Sequence, residues 1–180
     1  MGEKRIVLYP GTFDPVTNGH VGIVRRGLAL FDTVCIAVAG DTPKATLFTL
    51  EERVAMIRET FASEDRVVVQ PYVGLTVQFA RSVGACAMLR GLRSMSDFDY
   101  EFMLARANKR LACELETVFF IADSSTDCFS SSAVREFASH GASVVDFVPE
   151  CVVRKLEERF APSASQESFD PDRLVNQGRC

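Results

Sequence analysis

The chain has 180 residues, about the size of one ordinary domain, and its 47% hydrophobic and 24% charged residues are the balance of a globular protein with a core. A formal net charge of −4 excludes a general DNA or RNA binder, because phosphate contacts dominate nucleic-acid affinity and need basic clusters. No run approaches the about 20 apolar residues of a membrane span, and Ile6–Leu8 is too short for a secretory leader, so the cytoplasm is expected.

Strand-like and helix-like segments alternate along the chain. Ile6-Val7-Leu8-Tyr9 is an apolar run ended by Pro10-Gly11, the pattern of a buried parallel strand. Val21, Val24, Leu28 and Phe31 recur at helical spacing, and Thr17 or Asn18 can cap that helix. Val34 to Ala39 reads as the second strand. Thr49 with Glu52 three residues on forms a capping box before Leu50, Val54, Ile57 and Phe61. Val67-Val68-Val69 is the third strand, with a helix over about 76–83, and Ala87-Met88-Leu89 is a short fourth. A longer helix over about 96–111 is expected to carry Phe98, Phe102 and Ala105 on its buried side. Val118 to Ile121 forms the fifth strand, Ser130 to His140 the fifth helix, stopped by Gly141 in the left-handed position, and a last helix follows Pro149.

This alternation predicts an α/β fold, a doubly wound, Rossmann-like parallel five-stranded sheet with helices on both faces. Ligands of such sheets bind beyond the strand C-termini, where the strand order reverses. Residues 1–160 form a single domain. Residues 161–180 shift to Pro, Ser, Gln and Asp and read as a tail, disordered or an interface arm. The six cysteines show no CxxC pairing and read as free thiols of a reducing compartment.

The strongest chemical signal is Gly11-Thr12-Phe13-Asp14-Pro15-Val16-Thr17-Asn18-Gly19-His20, between the first strand and the first helix. Gly11 suits a tight strand exit and Gly19 a close ligand approach, while the helix start aims N–H groups and its positive dipole end at an anion. His20 adds a donor aimed the same way. Neither the dinucleotide fingerprint nor the Walker loop is present, so this is a phosphate cradle of another type.

Three later motifs fall at the same end of the sheet. Lys44 follows the second strand and precedes Phe48-Thr49-Leu50-Glu51-Glu52-Arg53. Arg90 and Arg93 bracket Gly91 after the fourth strand, and the guanidinium fork suits two phosphate oxygens at once. Asp97, Glu101 and Asn108 share one helix face. Ser130-Ser131-Ser132 opens the fifth helix, where plain N-capping accounts for one serine, not three. Leu75-Thr76, after the third strand, is either an ordinary helix start or an acceptor contact. No cluster of carboxylates has metal spacing.

Thr17-Asn18-Gly19-His20 resembles the T/HxGH signature of the nucleotidylyltransferase superfamily, and Tyr9 to Pro15 resembles the phosphopantetheine adenylyltransferase family in particular. The Lys44, Arg90-Gly91-Leu92-Arg93 and serine motifs agree, with Arg135 in the basic place of the last, over about residues 4–160. The resemblance implies transfer of an adenylyl group from ATP to 4′-phosphopantetheine, giving 3′-dephospho-CoA and pyrophosphate, without a covalent enzyme intermediate. It implies catalytic roles for His20, Lys44 and Arg93. ATP contacts are implied for Thr12, Phe13, His20, Gly91, Leu92, Arg93, Glu101 and the stretch Thr126, Asp127, Cys128, Phe129, Ser130, Ser131 and Ser132. Acceptor contacts are implied for Thr12, Lys44, Thr76 and Arg90. Glu101 then meets ribose or adenine, and Asp97 either joins it or orients Arg93. Mg2+ arrives with ATP, family members assemble as homohexamers, and CoA can act as a feedback ligand. The chain departs from the family at Thr126, where an aromatic residue is usual. A related transferase with another phosphorylated acceptor and a non-catalytic nucleotide-binding module are the alternatives. Whether His20 is charged is open at this point, since a helix N-terminus opposes imidazolium and bound phosphates favour it.

Overall fold

The computed structural model describes residues 4–42, 45–93, 95–121 and 129–161. Five strands and six helices alternate through them: β1 (Ile6–Gly11), α1 (Asn18–Leu30), β2 (Thr33–Ala39), α2 (Leu50–Thr60), β3 (Val67–Tyr72), α3 (Thr76–Ser82), β4 (Ala85–Leu92), α4 (Met95–Leu111), β5 (Glu116–Ile121), α5 (Ser131–Ser139) and α6 (Glu150–Phe160). All strand pairs are parallel, in the order β3-β2-β1-β4-β5. The chain therefore winds outward from β1 to β3 and then crosses back to β4. The switch lies between β1 and β4, and the Gly11–His20 and Arg90–Arg93 segments leave the sheet on either side of it.

Both faces of the sheet are covered, which is why its strands are apolar at successive positions. Val7, Tyr9, Ile36, Val38 and Leu89 turn to one face, where they pack with residues of α1, α2, α5 and α6. Leu8, Cys35, Ala37 and Met88 turn to the other, against Val77 and Ala80 of α3 and Ala112 and Leu115 beyond α4. Cys35, Cys86, Cys113 and Cys151 are free, and burial raises the Cys35 thiol to about 11.

The helix signals read from the sequence work locally. Thr49 and Glu52 form the expected capping box, Ser130 caps α5, and Gly141 ends that helix at φ 76°. Phe98 and Phe102 do not sit on a buried side: they stack on each other at 5.7 Å and are 38% and 45% exposed. The helix stands over the sheet's C-terminal rim, turning Glu101, Leu104, Ala105 and Asn108 to a cavity and these two rings away from it. A period of 3.6 marks an apolar stripe but not which neighbour it meets.

Leu89 is fully buried in β4, between β1 and β5. Leu89→Ala is expected to lower unfolding free energy by about 2–5 kcal/mol, read from the shift of the urea midpoint.

Candidate active site

The loop after β1 is built around a buried carboxylate. Asp14, 4% exposed, accepts the backbone N–H of Leu47 (2.8 Å) and of Phe48 (2.9 Å). Arg135 of α5 donates to the same carboxylate at 3.1 Å and also to the Asp14 carbonyl. One side chain thus joins the segments after β1 and β2 to the serine-rich helix. The Asp14-Pro15 peptide is cis, and Phe13 adopts φ 50°.

Gly11 is the last residue of β1, at the strand's exit. A Cβ there would fall 2.9 Å from the Phe13 ring, which fills the space beside the strand. That ring meets Tyr9 edge-on at 5.3 Å and His20 at 5.0 Å, so Phe13 is a wall that holds the imidazole from one side.

His20 occupies the third position of α1, where a capping box usually carries Glu or Gln. Its Nδ1 accepts the backbone N–H of Thr17 at 3.0 Å, with the Thr17 hydroxyl also at 3.0 Å. A ring whose Nδ1 accepts an N–H carries its proton on Nε2 when neutral, which leaves an Nε2–H donor. Burial first, then the positive charges of Arg93 and Arg90, push the imidazole down from the ordinary 6.5 to about 4. The ring of the ligand-free protein is therefore neutral at pH 7.

β4 runs past the expected Ala87–Leu89 to Leu92, so Arg90 lies within the strand and Arg93 just after it, and each is held by a carboxylate of α4. Arg90 grips Glu101 with two N–H groups, Nε at 2.7 Å and one on Nη2, while Nη1 donates to the Pro10 carbonyl at 2.9 Å. Of five N–H groups two remain, and the fork cannot swing. Arg93 pairs with Asp97 at 3.3 Å, so Asp97 does orient Arg93.

In the serine motif the three hydroxyls have separate partners. Ser130 accepts from the Ala133 N–H (3.1 Å), Ser131 donates to the Pro15 carbonyl (2.8 Å), and Ser132 accepts from Arg135 (3.4 Å). The amides of Ser131 and Ser132, in the first turn of α5, have no intrahelical acceptor and suit an anion.

These groups converge on two adjoining cavities of about 310 Å3 each. The first is lined by Thr12, Phe13, His20, Gly91, Arg93, Phe129 and the three serines. The second is lined by Tyr72, Thr76, Met88, Leu104, Ala105 and Asn108. Pro10, Gly11, Thr12, Arg90 and Glu101 border both. Thr76 opens α3 and its hydroxyl meets that of Tyr72 at 3.0 Å. Leu92 ends β4 and is not among the described residues lining either cavity. Lys44, Thr126, Asp127, Cys128 and, from residue 162 on, the expected tail lie outside the described residues.

Sequence reasoning missed Asp14 and Arg53 as organisers. Both are buried charges; Asp14 stands between Phe13 and Pro15, whereas Arg53 follows Glu51 and Glu52 and carries no such signal.

Because the folded imidazole titrates below 6.5, its contribution to stability is present above pH 6.5 and fades as pH falls towards 4. Nitrogen-detected NMR is expected to find His20 neutral, as the Nε2–H tautomer, with a midpoint near 4. An ordinary midpoint near 6.5 contradicts the geometry.

The chain is similar to known proteins over most of its length. A cytidylyltransferase-like family model matches residues 8–137. The phosphopantetheine adenylyltransferase of Solidesulfovibrio magneticus is 48% identical over 158 residues, 88% of this chain and 92% of that protein. That of Desulfitobacterium hafniense (strain Y51) is 48% identical over 159 residues, 88% and 97% of the two chains. That of Lawsonia intracellularis is 47% identical over 161 residues, 89% and 94% of the two. Similarity at this level over nearly the whole of each relative makes the chain a member of the phosphopantetheine adenylyltransferase family, within the cytidylyltransferase-like proteins.

Proposed function

We propose that this chain transfers the adenylyl group of ATP to 4′-phosphopantetheine, giving 3′-dephospho-CoA and pyrophosphate. The observation that carries the reading is the pair of cavities meeting at Thr12 and Arg90, one rich in phosphate donors and the other partly apolar. The first suits the nucleotide, with its phosphates against the α5 N-terminus. The second suits the pantetheine arm, whose phosphate then points at the seam.

In the proposed step an oxygen of the acceptor phosphate attacks the ATP α-phosphorus in line. A new P–O–P bridge forms, the α–β bridge breaks, and the bond electrons leave with pyrophosphate. The attacking oxygen is already anionic, so no base and no covalent enzyme intermediate are needed. The protein's task is positioning and charge. Thr12 and Lys44, with the two unspent N–H groups of Arg90, hold the acceptor phosphate. The His20 Nε2–H donates to the α-phosphate as charge builds there, and its neutral state spares it from being bound as a simple counter-ion. Arg93 and the amides of Ser131 and Ser132 receive the β- and γ-phosphates. Gly91 and Phe129 border the nucleotide, with Thr126, Asp127 and Cys128 in the neighbouring stretch. Glu101 acts through Arg90 as well as on the ribose side.

ATP enters as its Mg2+ complex, the metal being part of the substrate. The product spans both cavities, which gives CoA a place to act as a feedback ligand. The outward row of Met95, Phe98, Phe102 and Met103 on α4 supports assembly into the family's homohexamer. ATP use and the four free thiols among the described residues support a cytoplasmic location; among the same residues no helix is long and apolar enough to cross a membrane.

Pyrophosphate release from ATP is expected with 4′-phosphopantetheine and not with nicotinamide mononucleotide, glycerol phosphate or no acceptor. Release driven by another acceptor, or by none, sinks the assignment. His20→Ala is expected to lower kcat by about 10²–10³ with substrate Kd values nearly unchanged, as for loss of one transition-state donor.

A further inference from the structure

Arg53, in α2, is 2% exposed and lines neither cavity, yet it stands directly behind the wall they share. Its Nη1 donates to the Thr12 carbonyl at 2.7 Å and to the Ala39 carbonyl at 2.9 Å. One nitrogen therefore ties the segment after β1 to the last residue of β2, just before Thr42, Ala45 and Thr46 reach the first cavity. Among the described residues Arg53 forms no ion pair, and its buried Nε–H has no acceptor. Asp14 acts on it only through space, as does Glu51, and Asp14 is already in contact with Arg135. The contact of Asp14 goes to Arg135, so the Arg53 guanidinium sits under the loop with no carboxylate against it among the described residues. Bridging two carbonyls needs donors but no charge, so the charge is the feature that the packing does not explain.

We propose that Arg53 is a positioning residue for the acceptor half of the reaction. It fixes Thr12 against the end of β2 and places a positive charge that no described carboxylate touches behind the point where the two phosphates meet. This rests on the adenylyl-transfer reading above. Arg93 is held by Asp97 of α4 and Ser132 by Arg135 of α5, away from Arg53. Thr17 and Pro15, which hold His20 and Ser131, lie further along the same loop as Thr12, but their stretch is pinned by the contacts of Asp14 rather than by those of Arg53.

The test uses the full chain with Arg53→Met, Arg53→Lys and Arg53→Gln. Steady-state kinetics in both substrates is measured beside ATP binding by calorimetry and thermal unfolding. Arg53→Met is expected to lower kcat/KM for 4′-phosphopantetheine about 100-fold, the scale of an ångström misplacement of a reacting group, with the ATP Kd unchanged. Lysine keeps the charge and enough donors for both carbonyls and restores most of the loss. Glutamine keeps two donors without charge and restores less. If the Met variant does not fold, the Lys and Gln pair decides. Equal activity of Lys and Gln, parent-like turnover of a folded Met variant, or equal damage to ATP binding each overturns the proposal. A parent chain without acceptor-dependent pyrophosphate release overturns the adenylyl-transfer reading along with it, whereas an active parent separates the two.

Discussion

A carboxylate taken out of water is tolerated only when its oxygens are filled, and Asp14 is filled from three directions. Leu47 and Phe48 supply amides from the segment after β2, and Arg135 supplies a guanidinium from α5. Removing one partner of such a buried pair costs about 3–5 kcal/mol, so the three segments hold one another in place rather than each folding independently. The loop that results carries Thr12 at one end and Thr17 at the other. Thr17 in turn fixes the His20 ring through its backbone N–H. The position of the imidazole thus descends from a carboxylate six residues earlier that is itself only 4% exposed.

The sheet topology explains why this loop faces the arginines. β1 and β4 are neighbours although β2 and β3 intervene in sequence, so their C-terminal loops open on a common crevice. On one side lie the β1 loop and α1, and on the other Arg90, Gly91 and Arg93. Arg90 bridges the two by donating to the Pro10 carbonyl while Glu101 holds its other edge. Parallel strands thereby turn a long sequence separation into direct contact.

What the sequence made legible was local. Alternating apolar runs gave the strands, Thr49 and Glu52 marked a helix start, and the Thr17–His20 motif placed a histidine at a helix N-terminus. The partners of charged side chains were not legible. Arg135 reaches Asp14 across 121 positions and Arg90 reaches Pro10 across 80, and no periodicity encodes such pairings. The same limit applies to α4, whose Phe98 and Phe102 had the spacing of a buried stripe but turn outward because Leu104 and Ala105 take the cavity side. The protonation of His20 also needed coordinates, because it depends on which nitrogen the Thr17 amide occupies.

The ion pairs clarify how a site for two anions stays folded without them. Arg90, Arg93 and Arg135 are each paired with a carboxylate: Glu101, Asp97 and Asp14. A bare cluster of guanidiniums would repel itself and swing into solvent, losing the orientation that makes a fork useful. Pairing offsets that repulsion and fixes each fork, while N–H groups not used by the carboxylate remain as donors. His20 follows the same logic in another form, since a neutral ring adds a donor near two arginines without adding to their charge. The three forks are therefore already oriented before any anion arrives, which is the condition for donors to act without reorganising.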